Sequence, residues 1–285
     1  MLCFRCGSPV EPNATQCPNC GQDLKGAQAP DTEALADLQK QLRKADQSGR
    51  GSADAYRVGE VVVDRYEITD VLGRGPLGVV YKALDQEVEV DVALKVVDAE
   101  LMSSTGERQA FLETVGKMRQ VVHNNVVRYF DVDHDGDRCF YVTQFLEGLT
   151  LRKIIDLRRE KGQRFSLAEV EPICSQLCDA LSTGEAVHGG LKPDNVIILP
   201  DLLKVTDFGL AEALPRDAYL AAQRDGGAAS AYLAPEVRDS GAFDERADAY
   251  SVAVIVTELL SGQVYEGGPL LNLHELDPEV PEALD

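Results

Sequence analysis

The chain has 285 residues and a formal net charge of −20, from 28 Lys and Arg against 48 Asp and Glu. Its length fits one large domain with additions or two ordinary domains, and 44% hydrophobic with 27% charged residues is typical of a globular chain. The acidic excess opposes broad contact with nucleic-acid phosphates or anionic lipid, so neither is an expected partner. No apolar run approaches the ~20 residues of a membrane helix, and without a secretory pattern at the N-terminus we expect a cytoplasmic protein.

Four of the seven cysteines lie within residues 1–24 as two Cys-x-x-Cys pairs, namely Cys3, Cys6, Cys17 and Cys20. Four thiolates arranged in this way suit a tetrahedral Zn²⁺, which would supply the folding free energy that so short a segment lacks. The pattern resembles a zinc ribbon. Two disulfides are the alternative, which the absence of a secretory signal disfavours. Balanced local charge makes a protein-docking or purely structural role the expectation for this segment.

Residues 25–55 are interpreted as a linker that contains one short helix. Leu35, Leu38 and Leu42 follow helical spacing, and the Ser-Gly-Arg-Gly-Ser run at 48–52 is typical of flexible linkers. We therefore place a domain boundary near residue 55.

A glycine triplet follows, in the segment YEITDVLGRGPLGVVYKALD that begins at Tyr66. Glycines let backbone amides approach a polyphosphate, and a strand-like continuation instead of a helix disfavours a Rossmann turn. The segment VALKVV, which contains Lys95, comes next. From this point the sequence resembles a protein kinase of the Ser/Thr type.

Later segments continue the resemblance in the family's order, over residues 56–285. They are FLETVGKMRQVVHNNVVRYFDV, YVTQFLEG, VHGGLKPDNVIIL, VTDFGL, YLAPE and ERADAYSVAVIVTELLSG. The resemblance implies an α+β, two-lobed fold with a β-rich small lobe (56–143), a hinge (144–148) and a helical large lobe (149–285) that is C-terminally incomplete.

The resemblance also implies a site for ATP and Mg²⁺. Lys95, paired with Glu113, would contact the phosphates, while Asn195 and Asp207 would hold Mg²⁺ through oxygen atoms. The remaining ATP-binding residues that it implies are Leu72, Gly73, Gly75, Gly78, Val80, Ala93, Thr143, Gln144, Leu146 and Ile197. Pro76, at the tip of the glycine loop, lacks an N–H and removes one phosphate contact.

The catalytic loop departs from the family's pattern. Gly190 stands where relatives carry the aspartate that accepts the substrate hydroxyl's proton, and Gly189 replaces the preceding arginine. Ala229 falls where relatives carry a threonine that contacts that aspartate and Lys192. The resemblance assigns a catalytic role to Lys192. Losing a positioned base costs ~10²–10⁴-fold in rate.

Three hypotheses remain open. The first is a pseudokinase that binds ATP and has a regulatory or scaffolding role. The second is an active Ser/Thr protein kinase that works without the base, and the third is a docking module whose active part is the zinc ribbon. Because the sequence stops where relatives begin further helices, we expect the long helix near residue 250 to expose Val252, Val256 and Leu259 to a protein partner or to missing helices.

Overall fold

The computed structural model describes residues 14–18, 21, 55–184, 186–200, 202–225, 227–240, 244–264, 271–276, 278 and 280–281. Two compact units make up the chain. The first comprises Met1–Glu147 with Ala213–Pro215, and the second comprises Gly148–Glu212 with Arg216–Asp285. The boundary between them lies inside the segment predicted as the hinge.

The first unit is built on a six-stranded antiparallel sheet with the order β1-β2-β3-β4-β6-β5. Its strands are β1 Val61–Val62, β2 Tyr66–Gly75, β3 Gly78–Asp85, β4 Val90–Val97, β5 Tyr129–Asp135 and β6 Arg138–Gln144. Side chains alternate between the two faces of each strand. One face forms the hydrophobic core of this unit, in which Tyr81, Leu94 and Phe140 are fully buried.

One helix of the first unit, α1 (Thr105–Lys117), lies between β4 and β5 in the sequence. Ser104 and Glu107 form a reciprocal capping box that satisfies backbone donors at its start. Phe111 and Val115, four residues apart, are its buried residues. A single turn of 3₁₀ helix, Met118–Gln120, follows directly.

The second unit is mainly helical and carries a three-stranded sheet with the order β7-β8-β9. The strands are β7 Leu149–Thr150, β8 Val196–Ile198 and β9 Leu203–Val205. The helices are α2 Leu151–Glu160, α3 Leu167–Leu181, α4 Leu210–Ala213, α5 Arg216–Asp225, α6 Pro235–Ser240, α7 Glu245–Ser261 and α8 Leu273–Leu276. Among the described residues, no helix has the length and apolarity needed to cross a bilayer.

Helix α7 forms the centre of the second unit. Asp244 caps its first turn, and Gly262 ends it in the left-handed conformation at φ 71°. The prediction that this helix exposes an apolar stripe is wrong, because Val252 and Leu259 are buried and Val256 is half-buried.

A buried ion pair joins α2 to α7. The Glu258 carboxylate is fully buried and accepts hydrogen bonds from Arg152 Nη1 at 2.7 Å, from Arg159 Nη2 at 3.2 Å and from the Tyr232 hydroxyl. Such a pair stabilises a fold only while both charges are present, since removing one leaves the other buried and uncompensated.

We therefore expect Glu258→Gln to lower the free energy of unfolding by about 3 kcal/mol. Urea unfolding followed by circular dichroism measures this change. Glu245→Gln, at an exposed position of the same helix, is the matched control and should shift the free energy of unfolding by less than about 1 kcal/mol. Equal effects of the two variants would contradict the role given to the buried pair.

Candidate nucleotide-binding and catalytic site

Four of the predicted ATP-binding residues share one face of the six-stranded sheet. Val80 lies opposite Lys95 across β3 and β4, and Ala93 lies opposite Thr143 across β4 and β6. Residues 93 and 95 are two positions apart on one strand, so all four side chains point to the same side. This face is opposite to the hydrophobic core, and on it Val80, Ala93 and Lys95 are only half-buried.

Lys95 and Glu113 do not pair as predicted. The Lys95 ammonium lies 6.0 Å from the Tyr141 ring centroid, while Glu113 is exposed and its carboxylate accepts a hydrogen bond from Gln109 Nε2 at 2.9 Å. The reason is helix geometry. At about 100° per residue, position 113 is rotated roughly 160–200° from Phe111 and Val115, which take the buried side of α1.

The three glycines at the end of β2 and the start of β3 serve different purposes. A Cβ at Gly78 would overlap the Val96 carbonyl oxygen, and φ is 138°, so packing and backbone conformation both demand glycine there. A Cβ at Gly73 or Gly75 would meet nothing within 4 Å. These two glycines leave open space beside the strands, as the approach of a phosphate chain would require.

The other predicted ATP-binding residues are distributed over both units. Gln144 and Leu146 are buried, and the Gln144 amide donates to the Arg128 carbonyl at 2.9 Å. Leu72 is half-buried in β2. In the second unit, Ile197 is half-buried in β8.

Asp248 of α7 holds the catalytic loop of the second unit. Its buried carboxylate accepts hydrogen bonds from the backbone amides of His188 at 2.7 Å and Gly189 at 2.8 Å. The His188 ring is buried against Phe208 and donates from Nε2 to the Thr206 carbonyl at 2.9 Å. Burial lowers the pKa of His188, so the ring is neutral and has a structural role.

The predicted magnesium ligands come together in the second unit. Asn195 Nδ2 donates to Asp207 Oδ2 at 2.8 Å, and the Thr206 amide donates to the Asn195 carbonyl at 2.8 Å. Asp207 adopts a left-handed φ of 67°, which is uncommon for a residue with a side chain. The tight turn at Asp207 therefore brings its carboxylate to the amide of Asn195.

Tyr219 of α5 occupies the place of the missing aspartate. A Cβ at Gly190 would overlap the Tyr219 hydroxyl oxygen and lie 3.3 Å from its Cζ. The tyrosine is 3% exposed, and burial raises the pKa of its hydroxyl while Gln223 opposes that shift. The hydroxyl therefore stays protonated at neutral pH and cannot accept a proton as a carboxylate would.

Gln223, one helical turn after Tyr219, engages Lys192. The Gln223 Oε1 atom accepts a hydrogen bond from Lys192 Nζ at 3.3 Å. Sequence reasoning missed both α5 residues, because nothing in the spacing of RDAYLAAQRD marks them. Asp248 could have been identified from the sequence, because it lies in the kinase-like segment ERADAYSVAVIVTELLSG.

Some predicted residues fall outside the described part of the chain. Cys3, Cys6 and Cys20 are among them, as is the side chain of Ala229. Cys17 is buried, and the amide of Gly21, at φ 70°, donates to its carbonyl at 2.9 Å. Among the described residues, no group of three or more His, Cys, Asp and Glu side chains could hold a metal ion.

Comparison with known proteins is consistent with this geometry. Residues 66–269 match the family described as "Protein kinase domain". Serine/threonine-protein kinase PknL of Mycobacterium bovis is 35% identical over 226 residues, which are 77% of this chain and 55% of that protein. A probable serine/threonine-protein kinase of Clostridium acetobutylicum is 29% identical over 245 residues, 80% of this chain and 36% of that protein.

The crystal structure of the Mycobacterium tuberculosis PknI kinase domain, C20A mutant, gives a TM-score of 0.65 at 19% identity, covering 79% of this chain and 86% of that one. Likeness at this identity concerns the fold alone. It shows the two-lobed protein-kinase-like fold, with a β-sheet small lobe and a helical lobe. The chain spans only about a third to a half of the length of the two curated relatives above.

Proposed function

The chain belongs to the protein kinase domain family, and from that membership we propose that its kinase-like domain binds ATP with Mg²⁺ without transferring the phosphate, as a regulatory or scaffolding pseudokinase. The observation that supports the proposal most strongly is the absence of a base in the catalytic loop. Gly190 has no side chain, and the protonated Tyr219 hydroxyl fills the space where a base would lie.

ATP binding is supported on the small-lobe side by the sheet face that carries Val80, Ala93, Lys95 and Thr143. It supplies apolar contact for a base and one ammonium for a phosphate. Gly73 and Gly75 add open space beside the strands. Pro76 removes one amide donor, so we expect weaker affinity than in a loop with all its amides.

The Asn195–Asp207 pair fits Mg²⁺ better than a metal bound by protein alone. Mg²⁺ prefers oxygen ligands and is usually held by one or two protein carboxylates together with substrate phosphates and waters. The hydrogen bond between the pair uses the side-chain amide nitrogen of Asn195, so the oxygen donors that the pair would offer a cation are Asn195 Oδ1 and the Asp207 carboxylate. Bound Mg²⁺ would neutralise phosphate charge, and these two residues would hold it.

Phosphate transfer is disfavoured because the acceptor hydroxyl would meet no base. A positioned general base typically contributes ~10²–10⁴-fold to the rate. In addition, the Lys192 ammonium is engaged by Gln223. The catalytic loop thus lacks a base, and its Lys192 is hydrogen-bonded to Gln223 of α5.

The second candidate is an active Ser/Thr protein kinase. The relatives named as serine/threonine-protein kinases and the preserved Asn195–Asp207 pair favour it. Such an enzyme would depend on Mg²⁺ and on substrate positioning alone. It would need Tyr219 to leave the catalytic loop during turnover.

Nucleotide binding is tested by thermal unfolding with and without ATP and Mg²⁺. A ligand that binds only the folded state at a hundred times its Kd stabilises by about 2.7 kcal/mol, which is roughly 5–10 °C for a domain of this size. We expect Lys95→Ala to abolish most of that shift. Glu113→Gln is the matched control and should keep it, since Glu113 faces solvent. Wild-type protein that melts at one temperature regardless of ATP would rule out binding.

Phosphate transfer is tested with radiolabelled ATP and a mixture of protein substrates. We expect the wild-type signal to equal that of Asp207→Ala, because neither protein has a base. Robust transfer by the wild type that disappears in Asp207→Ala would establish the active-kinase alternative.

The zinc ribbon of residues 1–24 remains part of the proposal. The four cysteines support it, and so does the turn at Gly21 after Cys17. A ribbon of this kind would act as a protein-docking module, as the third hypothesis requires. We expect about one zinc per chain by metal analysis of the purified protein, and its loss in Cys17→Ser. A metal-free wild-type protein that retains two disulfides would replace the ribbon with the disulfide alternative.

A further inference from the structure

The second unit contains an arrangement that the proposed function does not require, between the catalytic loop and α5. We infer that α5 (Arg216–Asp225) is a built-in occupant of the base position: the Tyr219 hydroxyl takes the side-chain space of residue 190 and Gln223 binds Lys192. A side chain at residue 190 and α5 therefore compete for one place. The inference rests on the proposed function only in treating residue 190 as the position of the base.

The first argument concerns why residue 190 is glycine. Gly189 has a φ of 69°, so its backbone conformation itself favours glycine. Gly190 has no positive φ, and the backbone there would accept any L-residue. Among the contacts that a Cβ at 190 would make, the overlap with the Tyr219 hydroxyl is the prohibitive one. The Tyr219 hydroxyl therefore takes the space that a side chain at residue 190 would need.

The second argument is that polar groups on α5 satisfy polar groups of the loop. The Lys192 ammonium donates to Gln223 Oε1, and Tyr219, four residues earlier on α5, lies against the loop at residue 190. Residues four apart lie on one face of a helix, so a single face of α5 supplies both contacts. An apolar helix packed on this loop would instead leave a half-buried ammonium without this acceptor.

The third argument concerns exclusivity. Overlap of atoms at residue 190 means that a carboxylate there and Tyr219 cannot be present together in this arrangement. Restoring the aspartate alone would therefore displace α5 or unfold the loop. The loss of the base and the insertion of α5 therefore concern the same position, the side-chain space of residue 190.

The test is a double-mutant cycle between residues 190 and 219, read by thermal unfolding without nucleotide. Overpacking by one methyl group should lower the melting temperature of Gly190→Ala by about 3–10 °C. In the Tyr219→Phe background, which lacks the overlapping oxygen, the same substitution should cost less than half as much. If Gly190→Ala fails to fold while Gly190→Ala/Tyr219→Phe folds, the inference is supported equally.

Gly189→Ala is the matched control in the cycle. Its cost comes from the left-handed backbone, so Tyr219→Phe should not relieve it. Hydrogen exchange supplies a second readout, since the amides of α5 should exchange faster in Gly190→Ala than in the wild type. An equal cost of Gly190→Ala in both backgrounds, or failure of both to fold, would overturn the inference. Neither readout uses ATP, so a failure here is distinct from a failure of nucleotide binding.

Discussion

The hydrogen bonds that Asp248 accepts from the amides of His188 and Gly189 are the interaction on which the candidate site depends. Hydrogen bonds to a buried charged group contribute about 1.5–3 kcal/mol each, more than neutral ones. They fix the start of the catalytic loop to α7, ten of whose 17 residues are buried. The positions of Gly190, Lys192 and Asn195 follow from that attachment.

The two ends of the catalytic loop differ in the chemical groups that they present. At one end, the Asn195 side chain donates to Asp207, and the proposed function assigns Mg²⁺ to this pair. At the other end, Gly190 offers no atom to an acceptor hydroxyl, and α5 covers the position. The chemistry of holding a nucleotide is thus separable from the chemistry of transferring its phosphate. The proposed pseudokinase keeps the first and lacks the second.

Much of the fold was accessible from sequence because it depends on local patterns. Alternation along β3 and β4 places Val80, Ala93 and Lys95 on one face whatever surrounds the sheet. The order of the kinase-like motifs predicted a β-rich lobe followed by a helical one, and the solved structure of similar fold confirms that architecture. The expected exposure of Val252 and Leu259 was wrong, since burial depends on neighbouring elements that a helical pattern does not reveal.

By itself, the sequence determined that a kinase-like chain lacks its catalytic aspartate, because motif order and residue identity are properties of the string of residues. Only the tertiary structure decided what replaced the aspartate. Tyr219 and Gln223 lie 29 and 33 positions after Gly190, in a segment without a motif, and they reach the loop through packing of α5. The same holds for Glu113, whose orientation is set by which side of α1 Phe111 and Val115 bury. Contacts between residues distant in sequence depend on three-dimensional packing, which spacing along the chain does not encode.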